Sequence, residues 1–168
     1  RALKLFCFFE WRKKASRTRI TINIENACPG LKPPCFDMPN EVSEVISLSS
    51  FYQTRPVGGP PQPDFINAII IIETSLEPEE LLLVAQAIEG AHGRERNENT
   101  VIWGPRFIDI DLIKCDEMLI NSPDLTIPHP RAHEREFVLR PWNEIDPAAT
   151  LPGLGAISRL LESGQFSE

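Results

Sequence analysis

The sequence contains no apolar run near the roughly 18–20 residues that a membrane-spanning helix needs, so such a helix is excluded. Cysteine is sparse. Cys7, Cys28, Cys35 and Cys115 are scattered and form no C-x-x-C pair, which argues against a disulfide scaffold and a structural zinc site. Small buried thiols in a reducing compartment are the plainer reading. The phosphate-binding loop G-x-x-x-x-G-K-[ST] is missing, as are G-x-G-x-x-G after a strand, H-E-x-x-H and G-x-S-x-G. The common nucleotide-binding, zinc-protease and serine-hydrolase signatures are therefore absent. Positive charge is also short: 17 lysines and arginines face 24 acids, for a net charge of −7. A general nucleic-acid binder normally carries a basic face, so that class is disfavoured.

What remains is 168 residues, 42% hydrophobic and 24% charged. This is the composition of a single folded domain that buries about two-thirds of its unfolded surface without disulfides. The charge is uneven, since residues 1–20 hold seven basic groups and one acid, leaving −13 for the rest. A basic, acid-poor start has the character of an organellar transit peptide, and equally of an unstructured terminus. The apolar stretch Leu5–Phe9 is too short for a secretory signal and lacks a small-residue cleavage site. The chain opens on Arg1 rather than Met, as a fragment would. We expect an atypical basic segment over 1–19 and one domain over 20–168. The expected compartment is the cytoplasm, or a mitochondrion or plastid if the basic start is a transit peptide.

The chain has sixteen prolines, and they cluster in loops at Pro29–Pro39, Pro56–Pro63, Pro123–Pro130 and Pro147–Pro152, with Pro78, Pro105 and Pro141 outside these clusters. Between them, Ile20–Cys28 reads as a short helix or a strand. Val42–Tyr52 reads as a strand, and Phe65–Thr74, with four consecutive isoleucines, as a strand buried on both faces. Pro78–Ala91 is the clearest helix, with Pro78 at its first position and Glu79 and Glu80 at the positive end of its dipole. Phe107–Cys115 alternates as a strand. Phe137–Leu139 is a short apolar piece, and Ile157–Leu161 a terminal helical turn. Interspersed strands and helices predict an α/β or α+β class with a central sheet.

Chemistry concentrates in Trp103–Asp111. Asp109 and Asp111, two apart on a strand, project to one face, with Cα atoms roughly 6.5–7 Å apart. Two such carboxylates repel unless a cation or proton intervenes, which predicts a hard divalent cation, Mg²⁺ first. Arg106 precedes the pair by three residues, and Arg94 and Arg96 lie just upstream in a polar stretch. Guanidinium groups beside a metal site can clamp phosphate. His129 is held between Pro128 and Pro130, where a neutral imidazole can donate to a phosphate oxygen. Taken singly, each arginine is more often a surface charge, and a loop histidine more often structural.

These residues fall in a pattern. Trp103–Ile113 (WGPRFIDIDLI), Leu125–Leu139 (LTIPHPRAHEREFVL) and Pro141–Pro147 (PWNEIDP), preceded in order by Ser49–Asn67, Glu73–Leu82 and Ile88–Arg96, resemble the 6-hydroxymethyl-7,8-dihydropterin pyrophosphokinases of folate biosynthesis. The resemblance runs from about Val45 to Pro152. It implies an α+β, ferredoxin-like α/β/α sandwich with a mainly antiparallel central sheet. It implies transfer of pyrophosphate from ATP to the pterin hydroxymethyl oxygen with release of AMP. It further implies two Mg²⁺ ions on Asp109 and Asp111, with Arg94 and Arg106 closing over the phosphates. Gln86, Glu89, Arg96, Thr126, His129 and Arg135 match ATP contacts. Thr54, Pro56, Val57, Phe65, Asn67, Trp103 and Phe137 match the pterin pocket, where Phe137 with Phe65 or Trp103 would stack on the flat ring. The expected partners are ATP and the pterin alone, with no nucleic acid and no membrane, and the expected state is a monomer.

The N-terminal part departs from the family. Its opening strand, Gly-Ser-Asn turn and helix find no clear match. Arg19–Ala27 resembles the first helix, Lys13–Arg17 stands where the turn belongs, and the first strand is replaced by Leu3–Phe9 or lost. Phe65 stands where tyrosine is common, Ile102 where a basic residue is frequent, and Asp124 where a basic ATP contact can occur. The competing reading is a catalytically weak ATP-binding or interaction domain without the pterin loop. A third, an RNA-binding module, lacks both an aromatic strand motif and a basic face.

Overall fold

The computed structural model describes residues 17–25, 43–56, 61–94 and 107–166. Nine strands and three α-helices are described among these residues, in the order β1 Thr18–Glu25, β2 Ser43–Leu48, β3 Tyr52–Thr54, β4 Phe65–Thr74, α1 Pro78–Ala91, β5 Asp109–Cys115, β6 Ile120–Asn121, β7 Thr126–Ile127, α2 Glu136–Ile145, β8 Thr150–Leu151, β9 Gly155–Ala156 and α3 Ile157–Ser163. The main sheet runs β2-β4-β1-β5, with β3 also on β4, and its pairings are antiparallel. The fold is therefore α+β, as expected.

β1 is the main correction. The segment that resembled a helix is a strand between β4 and β5, the second of the two readings left open for Ile20–Cys28. Its residues explain why. Ile20, Ile22 and Ile24 alternate with Thr21, Asn23 and Glu25, a period of two that places the isoleucines on one face. All three are buried against Ile70, Ile72, Ile110 and Leu112, under Leu81 and Ala85 of α1. The opposite face carries Ile69, Ile71 and Ile113 against Val138, Leu139 and Trp142 of α2 and Ile157 of α3. Helices thus cover both faces of the sheet, and each layer buries the apolar stripe of its neighbour.

β4 and α1 match their expected limits. The Ile69–Ile72 run is buried on both faces. Helix α1 starts at Pro78 with a reciprocal cap in which Glu80 accepts from the Glu77 N–H at 2.8 Å. Its buried positions are Pro78, Leu81, Ala85 and Glu89, with Leu82 and Ile88 at the margin. The expected Val42–Tyr52 strand divides into β2 and β3. The break falls at Ser49, whose hydroxyl accepts from the Ile69 N–H at 2.9 Å and so ends the ladder with a side chain. Phe137–Leu139 proves to be part of α2, a ten-residue helix with Pro141 inside it. Cys115 is fully buried, and burial pushes its thiol up to about 12, in keeping with an inert core thiol. Leu3–Phe9, most of Lys13–Arg17 and Pro29–Pro39 lie outside the described residues.

Candidate active site

Strand register builds the site. Asn67 of β4 stands opposite Glu25 of β1, and Glu25 opposite Asp109 of β5. One step along, Ile69 is opposite Asn23, and Asn23 opposite Asp111. Residues directly opposed across a ladder project to the same face. Asn67, Glu25, Asp109, Asn23 and Asp111 therefore form a polar patch at one end of the face that carries Ile69, Ile71 and Ile113. Carboxylate oxygens of Glu25, Asp109 and Asp111 all lie within 4.8 Å of one another. An all-oxygen donor set of this kind suits a hard divalent cation.

Two arginines meet this patch. The end of α1 turns through Gly93 at φ +87°, a left-handed conformation that favours glycine. The Arg94 N–H then donates to Glu89 O at 3.0 Å, bringing its side chain back under the helix. Arg94 Nη1 lies 2.6 Å from Glu89 Oε1 and also pairs with Asp109. Burial works against the charge, but Asp109 and Glu89 hold the Arg94 pKa above its ordinary value. Glu89, 2% exposed, accepts a further bond from the Ile110 N–H at 2.8 Å. It thereby fixes α1 to the outer edge of β5. Arg135, at the start of α2, donates to Asp111 Oδ2 at 3.2 Å, and its guanidinium carbon sits 5.6 Å from the centre of the Phe137 ring.

The loop after β7 docks on β5 through the His129 N–H, which donates to Ile113 O at 2.9 Å. His129 Nδ1 accepts from the Arg131 N–H at 3.2 Å. That bond assigns the neutral ring's proton to Nε2. Burial lowers the His129 pKa, Asp111 opposes the shift, and Arg135 and Arg131 reinforce it. The imidazole is thus neutral near pH 7, a donor at Nε2.

On the other side of the patch, Asn67 is 1% exposed and donates from Nδ2 to Thr54 Oγ1 at 2.7 Å. Its Oδ1 is buried with no partner among the described residues. Phe65 stands across from Thr54. β3 is strapped to α2 by Glu144, which accepts from Ser50 N–H and hydroxyl at 3.1 and 2.7 Å and from the Tyr52 hydroxyl at 2.8 Å.

Asp109, Asp111, Arg94, Glu89, Arg135 and His129 therefore converge, and Asn67 with Thr54 borders them. Gln86 is half-buried on α1, Thr126 is exposed on β7, and Pro56 is half-buried after β3. Val57, Arg96, Trp103 and Arg106 lie outside the described residues. Sequence reasoning missed Glu25 and Asn23. The available signal was the alternation in β1, which puts both on the face away from its isoleucines.

Residues 19–147 match the family of 7,8-dihydro-6-hydroxymethylpterin-pyrophosphokinases. The 2-amino-4-hydroxy-6-hydroxymethyldihydropteridine pyrophosphokinase of Haemophilus influenzae is 39% identical over 126 residues, covering 75% of this chain and 76% of the relative. That of Synechocystis is 45% identical, covering 71% of this chain and 60% of the relative. That of Mycobacterium tuberculosis is 41% identical, covering 70% and 68%. With its matched residues spanning the acidic pair, both flanking arginines and the strand that opposes them, the chain belongs to the 7,8-dihydro-6-hydroxymethylpterin-pyrophosphokinase family.

Proposed function

We propose that the chain transfers pyrophosphate from ATP to the hydroxymethyl oxygen of 6-hydroxymethyl-7,8-dihydropterin and releases AMP, a step of folate synthesis. The observation that carries this reading is the pairing of Asp109 and Asp111 with Arg94 and Arg135 at one end of the sheet face. In the reaction the hydroxymethyl oxygen loses its proton to solvent and bonds to the β-phosphorus, the bond from that phosphorus to the α,β-bridging oxygen breaks, and AMP leaves with that oxygen.

Asp109 and Asp111 are the residues to hold Mg²⁺, two ions with ATP, and the oxygen donors of the patch fit that cation. Bound there, Mg²⁺ would neutralise charge on the phosphate oxygens. In the structure both carboxylates are paired with arginines. When they turn to a cation instead, the guanidiniums of Arg94 and Arg135 are released to phosphate oxygens, which they can grip bidentately. His129 Nε2–H adds a neutral donor. Gln86, Glu89 and Thr126 complete the ATP side, with Arg96 and Arg106 from the stretch that follows Arg94.

The orphaned Asn67 Oδ1 suits the donor edge of a pterin, since a buried acceptor without a partner is costly. Phe137 and Phe65 offer rings for stacking, with Trp103, Val57, Pro56 and Thr54 as the remaining pocket. Catalysis is then positioning and electrostatic stabilisation, with no covalent intermediate.

The test is AMP release by the purified chain with ATP, Mg²⁺ and the pterin. Pterin-dependent AMP that disappears in Asp111→Asn is expected. A folded chain that binds Mg-ATP but yields no pterin-dependent AMP would replace this reading with that of a nucleotide-binding domain.

A further inference from the structure

We propose that Glu25 and Asn23 of β1 join Asp109 and Asp111 in one divalent-cation site that fills before any nucleotide arrives. The proposal rests on the reading of Asp109 and Asp111 as the metal carboxylates, and extends it to residues of another strand. Two observations carry it independently.

The first is the convergence of three carboxylates. Glu25 faces Asp109 across the β1–β5 ladder, and an oxygen of each of Glu25, Asp109 and Asp111 lies within 4.8 Å of the other two. Asp109 is 8% exposed, so the group stands partly in the low-dielectric interior. Arg94 and Arg135 each balance one of the two aspartates in the structure, and a divalent cation at this point can serve all three carboxylates at once.

The second is Asn23. It is 0% exposed, and neither its Oδ1 nor its Nδ2 has a partner among the described residues. Its register partner is Asp111, so its amide lies on the same face as the acids. Buried amides are normally hydrogen-bonded. An oxygen donor fully out of solvent beside three carboxylates has the chemistry to ligate a hard cation, directly or through a bound water.

The combination changes the order of binding. A site of two carboxylates leaves most of the shell of a small hard cation to phosphate and water, and so fills with the nucleotide. Three carboxylates and an amide oxygen supply four protein donors. Glu25 and Asp111 are half-exposed, which leaves an approach from solvent and open positions for phosphate oxygens later.

The probe is Mn²⁺, titrated into the purified chain without nucleotide and followed by the electron paramagnetic resonance of the free ion. One bound Mn²⁺, displaced by Mg²⁺, is expected in the unaltered chain. Glu25→Gln is expected to weaken it at least tenfold, and Asn23→Leu to weaken it as well. With α,β-methylene-ATP present the Glu25→Gln deficit should shrink, because phosphate oxygens replace the lost donor. No nucleotide-free Mn²⁺ binding, or unchanged affinity in Glu25→Gln, overturns the proposal. Asp111→Asn separates the two readings. If it abolishes Mn²⁺ binding while Glu25→Gln does not affect it, the two-aspartate site stands and this proposal fails. If binding survives Asp111→Asn, the assignment of the metal carboxylates fails with it. Circular dichroism checks each fold. Should Asn23→Leu misfold, Glu25→Gln decides alone, since Glu25 is half-exposed at the strand's last position.

Discussion

Arg94 Nη1 lies 2.6 Å from Glu89 Oε1, and the same nitrogen bonds Asp109. One guanidinium thus ties the last turn of α1 to the first residue of β5, where a metal would compete with it for Asp109 and a phosphate would compete with the carboxylates for it. Removing it should affect both chemistry and stability. Arg94→Ala is expected to slow turnover by about 10²–10³-fold, the range for losing a preorganised charge at a transition state. The melting temperature without Mg²⁺ should fall, because Glu89 and Asp109 lose a shared cation, and added Mg²⁺ should raise it more than in the parent chain. Arg94→Lys should recover little of the rate, since an ammonium cannot reproduce the planar fork. Steady-state rates with paired melts check this. Wild-type turnover in Arg94→Ala would remove Arg94 from the phosphate site.

Asn67 tests the pterin side. Asn67→Leu keeps the volume but loses both the bond to Thr54 and the orphaned acceptor. The KM for pterin should rise by about 5- to 150-fold, corresponding to about 1–3 kcal/mol for a buried polar contact. The KM for ATP should stay within about twofold. A parallel rise in both constants would mean that Asn67 supports the whole sheet end rather than the pterin.

His129 carries a pH signature. Its pKa is lowered from 6.5 by burial, against the pull of Asp111. A depressed histidine makes the folded state favour the neutral ring. The stabilisation is therefore complete above the unfolded value near 6.5 and is lost as pH falls through the lower folded value. His129→Gln should accordingly lose less stability than the parent chain on acidification below pH 6.5. Melting temperatures from pH 8 down to pH 5 supply the comparison, and parallel curves would refute it.

The Tyr52–Glu144 strap links the edge of the sheet to α2. Burial opposes the shift, yet bonds from Ser50 and Tyr52 hold the Glu144 carboxyl below its ordinary 4.5. Such a group stabilises above that value, and the contribution disappears as pH falls through the folded pKa. The site is largely exposed, so the effect is small. Tyr52→Phe should reduce stability by no more than about 1 kcal/mol and raise the KM for pterin more than that for ATP, because β3 carries Thr54. Chemical denaturation and paired KM values decide the point.

Much of the architecture is legible in single residues. Pro78, Glu79 and Glu80 mark the start of α1, and the isoleucine run of β4 marks a strand covered on both faces. The Asp109–Asp111 spacing announces a shared face because strand alternation is local. β1 shows the opposite case. Its strict alternation of isoleucine with Thr21, Asn23 and Glu25 is a strand pattern, but buried polar residues and a likeness to a helical segment pull the other way. α2 was hidden by Pro141, Arg140 and Glu144, which break up its apolar face in the sequence. Glu25 and Asn23 escaped notice as site residues for a different reason. Their importance comes from ladder partners far along the chain, and register across such distances is not written in local sequence.

The central position of β1 also sets an order of assembly. Arg19 of this strand donates its N–H to Asp116, 97 residues away, just beyond β5. Neither ladder of β1 is with the strand that follows it; they are with β4 and β5. Pairings this distant are slow to form because the loop must close before any contact rewards it. A nascent chain therefore carries β1 with its β5-facing edge bare until Cys115 has been synthesised. The acidic cluster comes into being with that ladder, so the candidate metal site and the sheet are completed together.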